Sequence, residues 1–139
     1  MNEALQNILV VNGGSSSIKF ALYSPSPHLH TTVRGQIERI GMSGPMFSFQ
    51  GSDHNESFTR QVDAHDHAGA VALLMDWISA RQKSEDGGLI AVGHRIVHGG
   101  LQYVEPQRLA PPLLDELRQL TALAPAHLPQ EIRLLETIQ

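Results

Sequence analysis

The 139-residue sequence has no cysteine, little charge and few aromatics, and its shortages remove whole classes of function. Without cysteine there are no disulfides and no thiolate metal sites, which fits a reducing compartment. Lys and Arg number 10 against 14 Asp and Glu, a formal net charge of −4, so no basic stripe exists to neutralise a nucleic-acid backbone. The first apolar run, Ile8 to Val11, is too short for a signal-peptide core and far too short to span a membrane. The expectation is a soluble, cytoplasmic protein with neither nucleic acid nor membrane among its partners. Charged residues make up 17% and hydrophobic residues 41%, a globular rather than a disordered balance. The length suits one domain with a real core.

What is present reads as several strands, a helix, a strand and two helices, an α/β pattern without repeats. Asn7 to Asn12 holds four consecutive aliphatics, the mark of a strand buried on both faces. Ile18, Phe20 and Leu22 alternate with Lys19, Ala21 and Tyr23, a half-buried strand joined to the first as a hairpin. A third strand is expected over 31–40, and a second hairpin from 46–49 and 57–62. Ala70, Leu73, Leu74, Trp77 and Ile78 define one helix face, with Asp66 as its N-cap and Gly87-Gly88 as its exit. "LIAVGHRIVHGG", 89–100, reads as one long strand. Leu113, Leu117, Leu120 and Ala124 mark a helix entered through Pro111-Pro112. Leu128, Ile132 and Leu135 mark another, with Pro129 suited to its first turn. That pattern stops at Ile138-Gln139 without a cap, which suggests a fragment of something longer.

"VVNGGSSSIKF", 10–20, poses the functional question. The Walker pattern needs glycines that open a helix, whereas these open a strand, so this is not a P-loop. A glycine hairpin can still bring backbone N–H groups close to a phosphate. Ser17 and Lys19 are expected on one strand face, beside Asn12, whose side-chain oxygen suits Mg²⁺ or its waters. The plainer alternative is a polar hairpin whose serines satisfy their own backbone.

In the 89–100 strand, Ala91, Gly93, Arg95 and Val97 share a face opposite Val92, His94, Ile96 and His98. Arg95 offers a rigid fork for a carboxylate or phosphoryl group, Val97 an apolar contact and Gly93 open space, an arrangement suited to a small acid with a short alkyl tail. An arginine paired with an acidic neighbour at the sheet edge is the alternative. His127, held between Pro125 and Pro129, either donates to a phosphoryl oxygen or satisfies local backbone at a helix entry. The pairs His28/His30 and His65/His67 lack a third ligand at a recognisable spacing, so "DAHDH" is read as a helix cap rather than a zinc or copper site.

Together, "VVNGGSSSIKF", "AVGHRIVHGG" and "LAPAHLP" resemble the acetate kinase family, and "GQIERIG" at 35–41 resembles that family's third strand. The resemblance implies the actin/hexokinase-like (ribonuclease H-like) fold class, a mixed β-sheet flanked by helices. It also implies a two-domain kinase with ATP in the cleft between domains, of which residues 1–139 match only the N-terminal acyl-substrate and phosphate-binding domain. Asn12 matches the family's asparagine at the Mg²⁺ and phosphate position, and Ser15, Ser17 and Lys19 its phosphate-side serines and lysine. Arg95 matches the arginine on the substrate carboxylate and transferring phosphoryl, Val97 a wall of the methyl pocket, and His127 the histidine near the phosphoryl in flight. The implied reaction is ATP plus acetate giving acetyl phosphate and ADP, with Mg²⁺, in a complete enzyme that is a homodimer.

Three departures qualify this. Ala126 stands where the family usually has leucine, which recesses one wall of the alkyl pocket and is expected to favour propionate. Leu128 stands where asparagine is usual. The family's later aspartate, second histidine, second arginine and nucleotide-binding glutamate fall beyond residue 139, so this chain alone is expected not to turn over. The competing readings are a stand-alone acyl- or phosphate-binding module without catalysis, and a remnant that aggregates through faces meant for another domain.

Overall fold

A computed structural model describes residues 5–52, 56–85, 87–97, 99–126 and 128–138. The alternating and aliphatic runs become β1 (Leu5–Gly13), β2 (Ile18–Ser24), β3 (His30–Glu38), β4 (Met46–Gly51) and β5 (Ser57–Gln61). Helix α1 (His67–Glu85) then crosses over to β6 (Gly87–His94). The sheet order is β5-β4-β3-β2-β1-β6; β6 runs parallel to β1 and the other pairs are antiparallel. A parallel neighbour needs such a crossover, and here α1 provides it. The chain closes with α2 (Pro111–Gln119), a 3-10 turn (Leu120–Leu123) and α3 (Leu128–Ile138). The α/β class and mixed sheet expected from the sequence are what forms.

One face of the sheet carries the core. Leu9, Val11, Ile18, Phe20, Leu22, Val33, Ile37 and Phe47 pack there against Ala70, Val71, Leu74 and Ile78 of α1 and Leu134 of α3. Asp66 caps α1 as expected: its carboxylate accepts the Gly69 N–H at 2.8 Å, an interaction worth about 1 kcal/mol. Gly35 has no room for a side chain, because a Cβ there would meet the Phe20 ring and lie 2.7 Å from the Ser48 carbonyl oxygen. A satellite cluster of Leu114, Leu117, Leu128, Ile132 and Leu135 joins α2 to α3. Leu128 is fully buried between these helices.

The opposite face is polar. Register aligns Asn12, Lys19, Gln36, Ser48 and Thr59 in one row across five strands, and cross-strand partners share a face. This corrects the expectation for β1, since Val10 is 39% exposed while Leu9 and Val11 are fully buried. The aliphatic run reflects β1's central place among strands, but helices cover only one of its faces. Three boundaries also differ. β3 ends at Glu38, because the chain turns through Arg39 at φ 59. The first C-terminal helix tightens to 3-10 at Leu120 instead of continuing to Ala124. β6 stops at His94, well short of residue 100. Its outer edge, with Ile90 54% and Val92 40% exposed, has no strand beside it among the described residues.

Candidate functional site

The hairpin between β1 and β2 is braced from three sides. Within it, Gly14 N–H donates to Ser17 O at 2.7 Å, and the Ile40 amide donates to Ser16 O at 2.9 Å. The ring Nε2–H of His67, at the start of α1, donates to Gly14 O at 2.7 Å. Gly13 lies against α3, where any Cβ would run into Leu134 Cδ1. Because β2 begins at Ile18, Ser17 belongs to the turn, not to a strand face shared with Lys19. That expectation is corrected; the turn's own hydrogen bond removes Ser17 from the ladder. Ser15 is exposed at the turn, while Asn12 and Lys19, directly paired, line a shallow groove of about 870 Å³ with Arg34, Gln36 and Ser48.

Arg95 follows the end of β6. The ladder gives out there because β1 itself is about to turn, and the last bond is Arg95 N–H to Val11 O at 3.2 Å. His94 Nδ1–H donates to Arg95 O at 2.7 Å, and two residues later the Val97 amide donates to Glu131 Oε2 of α3 at 2.9 Å. The shared strand face expected for Ala91, Gly93, Arg95 and Val97 is therefore not built. Arg95 and Val97 sit on a loop fixed by its backbone, with the Arg95 side chain exposed and Val97 42% exposed. His127 and His98 lie outside the described residues; Ala126, exposed, is in the turn that leads into α3.

Register decides what comes together. Val11 pairs with His94, so Asn12 and Arg95 are the next residues along neighbouring parallel strands. Open α/β sheets gather ligands outside the carboxyl ends of parallel strands, where such neighbours emerge. Sequence reasoning missed His67 as a support for the hairpin and Glu131 as a support for the Arg95 loop. Neither bond, spanning 53 and 34 residues, leaves a local signal.

His94 carries the site's resolved pKa shift. Burial holds its imidazole below 6.5, while the bond to Arg95 O raises it less strongly. Since Nδ1–H donates to a carbonyl, Nε2 carries the lone pair in the neutral ring, and that atom is buried with no partner among the described residues. Protonation would bury an unsatisfied N–H. The unfolded chain thus takes up the proton first, so the contribution is fully present above pH 6.5 and is lost as pH falls from there toward the folded value. We expect the melting temperature to drop on acidification from about pH 7.5 to 5.5, and to drop less in His94→Gln. Thermal melts across that range check this; parallel curves would show that His94 does not drive the acid loss.

Among the described residues no group of three or more His, Cys, Asp or Glu could hold a metal ion. Asn12 offers one hard oxygen beside Lys19 on the groove. Mg²⁺ commonly takes one or two protein oxygens and otherwise phosphates and waters, so this donor set fits a cation that arrives on nucleotide phosphates. No helix among the described residues is long and apolar enough to cross a membrane.

The arrangement is that of an α/β domain in which Asn12 and Arg95 emerge side by side at the ends of a parallel strand pair. The chain belongs to the Acetokinase family, whose profile matches residues 7–139. It is 35% identical over 136 residues to acetate kinase 2 of Lactococcus lactis, covering 97% of this chain and 34% of that protein. Acetate kinase of Rhodopseudomonas palustris is 36% identical over 135 residues, covering 94% and 33%. In structure it resembles a propionate kinase from Francisella tularensis, with a TM-score of 0.84 and 28% identity over 97% of this chain and 34% of that one. It also resembles Porphyromonas gingivalis acetate kinase, with a TM-score of 0.79 and 27% identity over 96% and 34%. The chain thus spans about a third of the length of the curated relatives it matches.

Proposed function

We propose that these residues supply the carboxylate- and phosphate-binding half of a short-chain carboxylate kinase acting on acetate or propionate with ATP and Mg²⁺. Nucleotide binding then belongs to the part of the family's length that residues 1–139 do not cover. A carboxylate oxygen attacks the γ-phosphorus of ATP, the bond to the β-bridging oxygen breaks, and its electron pair leaves on ADP. The products are an acyl phosphate and ADP, and no proton need be removed because the nucleophile is already an anion. Such transfers depend on alignment and charge neutralisation.

The observation that carries the reading is the adjacency of Asn12 and Arg95 at the ends of β1 and β6. Arg95 holds the carboxylate with its fork, and Val97 gives the alkyl group an apolar wall. Lys19, with the Ser15 and Ser17 hydroxyls, faces the phosphate chain. His127 donates to the transferring phosphoryl group. Asn12 would hold the Mg²⁺, which supplies neutralisation of phosphate charge. A cytoplasmic homodimer belongs to the same reading.

Trapping of acyl phosphate as hydroxamate tests it. The full-length protein with Mg²⁺, ATP and acetate or propionate should form hydroxamate in step with ADP. Anion binding that needs Arg95 without any acyl phosphate would instead favour a binding module, and neither result would end both readings. Ala126 makes the acid preference testable as well. Ala126→Leu should lower the propionate-to-acetate ratio of kcat/KM by about tenfold, the lower range of what one methylene commands. An unchanged ratio would remove Ala126 from the alkyl pocket.

A further inference from the structure

A carboxylate is seldom buried without a task, since taking it out of water costs several kcal/mol unless donors replace the solvent. Glu131 is 4% exposed, in the first turn of α3, where the helix dipole favours an acidic group. From there its Oε2 takes the Val97 N–H at 2.9 Å, across 34 residues of sequence. We propose that Glu131 is a positioning residue for the carboxylate site: it fixes the loop from which Arg95 and Val97 project, without touching the substrate.

The loop's backbone shows why such a residue is needed. Arg95 N–H is tied to Val11 O, and Arg95 O is tied to the His94 ring, so the chain is held up to Arg95 by strand β1 and its neighbour. Beyond Arg95 the ladder has ended and the chain leaves the sheet. Val97 is where α3 takes hold of it. Segments that leave a sheet are ordinarily its more mobile parts, and a guanidinium fork must be kept within about 0.5 Å to act on a carboxylate. The same helix leans on the phosphate hairpin through Leu134 and Gly13, so Glu131 also sets the loop relative to that hairpin. With the acceptor gone, the Val97 amide loses its fixed partner, the exposed Arg95 samples more directions, and carboxylate binding suffers before nucleotide binding does.

The kinetic part rests on the carboxylate-kinase reading; the loop-holding part does not, and the experiment separates them. In the full-length protein, Glu131→Ala and Glu131→Gln are compared with wild type for KM of acetate and propionate, KM of ATP, kcat, and hydrogen exchange of the peptide spanning 93–100. We expect Glu131→Ala to raise KM for the acid by about ten- to a hundredfold, with KM for ATP within about twofold, since a misplacement near 1 Å can cost about a hundredfold. Loop exchange should quicken by at least about tenfold, and Glu131→Gln, which keeps an acceptor oxygen, should recover most of both effects. A lowered melting temperature with acid KM, kcat and loop exchange all unchanged would leave Glu131 a merely structural residue and overturn the proposal. Equal rises in both KM values would overturn the positioning of the acid in particular. If wild type forms no acyl phosphate, the kinase reading fails, and loop exchange alone decides whether Glu131 holds the loop. Should Glu131→Ala not fold, Glu131→Asp, whose carboxylate stops one methylene short, takes its place with the same expected direction.

Discussion

Arg95→Ala in the full-length protein should lower kcat/KM for the acid by two to three orders of magnitude and leave the melting temperature within about 1 °C. The side chain is exposed, so its removal opens no cavity and strands no buried partner among the described residues. Its backbone stays tied to Val11 and His94 whatever side chain it bears. In the proposed role of Arg95, what goes is a charge-assisted, two-pronged contact, worth about 3–4 kcal/mol if each prong contributes about 1.5–2 kcal/mol. Arg95→Lys restores the charge but not the planar fork, and should recover only a minor part of the rate. Steady-state kinetics with hydroxylamine trapping, alongside thermal melts, measures both. A loss of less than about threefold in Arg95→Ala would mean that another group holds the carboxylate.

The largest loss of stability is expected from Phe47→Ala. Phe47 is 1% exposed and sits among rings: Phe58 at 5.3 Å and Trp77 at 5.5 Å, both edge-on, and Phe20 at 5.9 Å. With few aromatics in the chain, most of them are concentrated here, between the β3–β5 side of the sheet and α1. Truncating a buried phenylalanine costs about 3–5 kcal/mol. A domain's total stability is commonly about 5–15 kcal/mol, so the melting temperature should fall by roughly 10–20 °C. Trp77 is the single tryptophan and reports on this cluster directly by fluorescence. A shift of under about 3 °C with unchanged Trp77 emission would show that these rings do not pack as described.

How much of this could be read beforehand depended on the range of the forces involved. The alternation of β2, the face Ala70, Leu74 and Ile78 of α1, and the Asp66 cap are all set by residues within a turn or two, and each was legible. The end of β6 was not. Nothing in "GHRIV" marks His94 as the last strand residue, because the ladder stops where β1 turns, and the chain beyond is held at Val97 by a carboxylate 34 residues further on. The exposure of Val10 was hidden for a related reason: an aliphatic run says that a strand is central, not how many helices cover it. Leu134 was outside the expected α3 face of Leu128, Ile132 and Leu135, yet it is fully buried, because α3 presents one side to α2 and another to the sheet. At the site, the residue types at 12, 19 and 95 carried the proposed anion chemistry into the sequence reading, whereas the supports at His67 and Glu131 act only through the tertiary fold.

The edge of β6 bears on how this chain behaves in the test tube. Gly87–His94, "GGLIAVGH", carries no Lys, Glu or Pro, and its outer row of backbone groups faces no neighbouring strand among the described residues. Exposed, uncharged edges of this kind are templates for intermolecular pairing, the more so with Ile90 and Val92 standing out beside the unpaired groups. Concentration rather than heat then becomes the limiting variable for work on these residues alone. A charged residue in place of Ile90 is the natural remedy, because it would discourage stacking of one copy on another while leaving the β1 ladder intact.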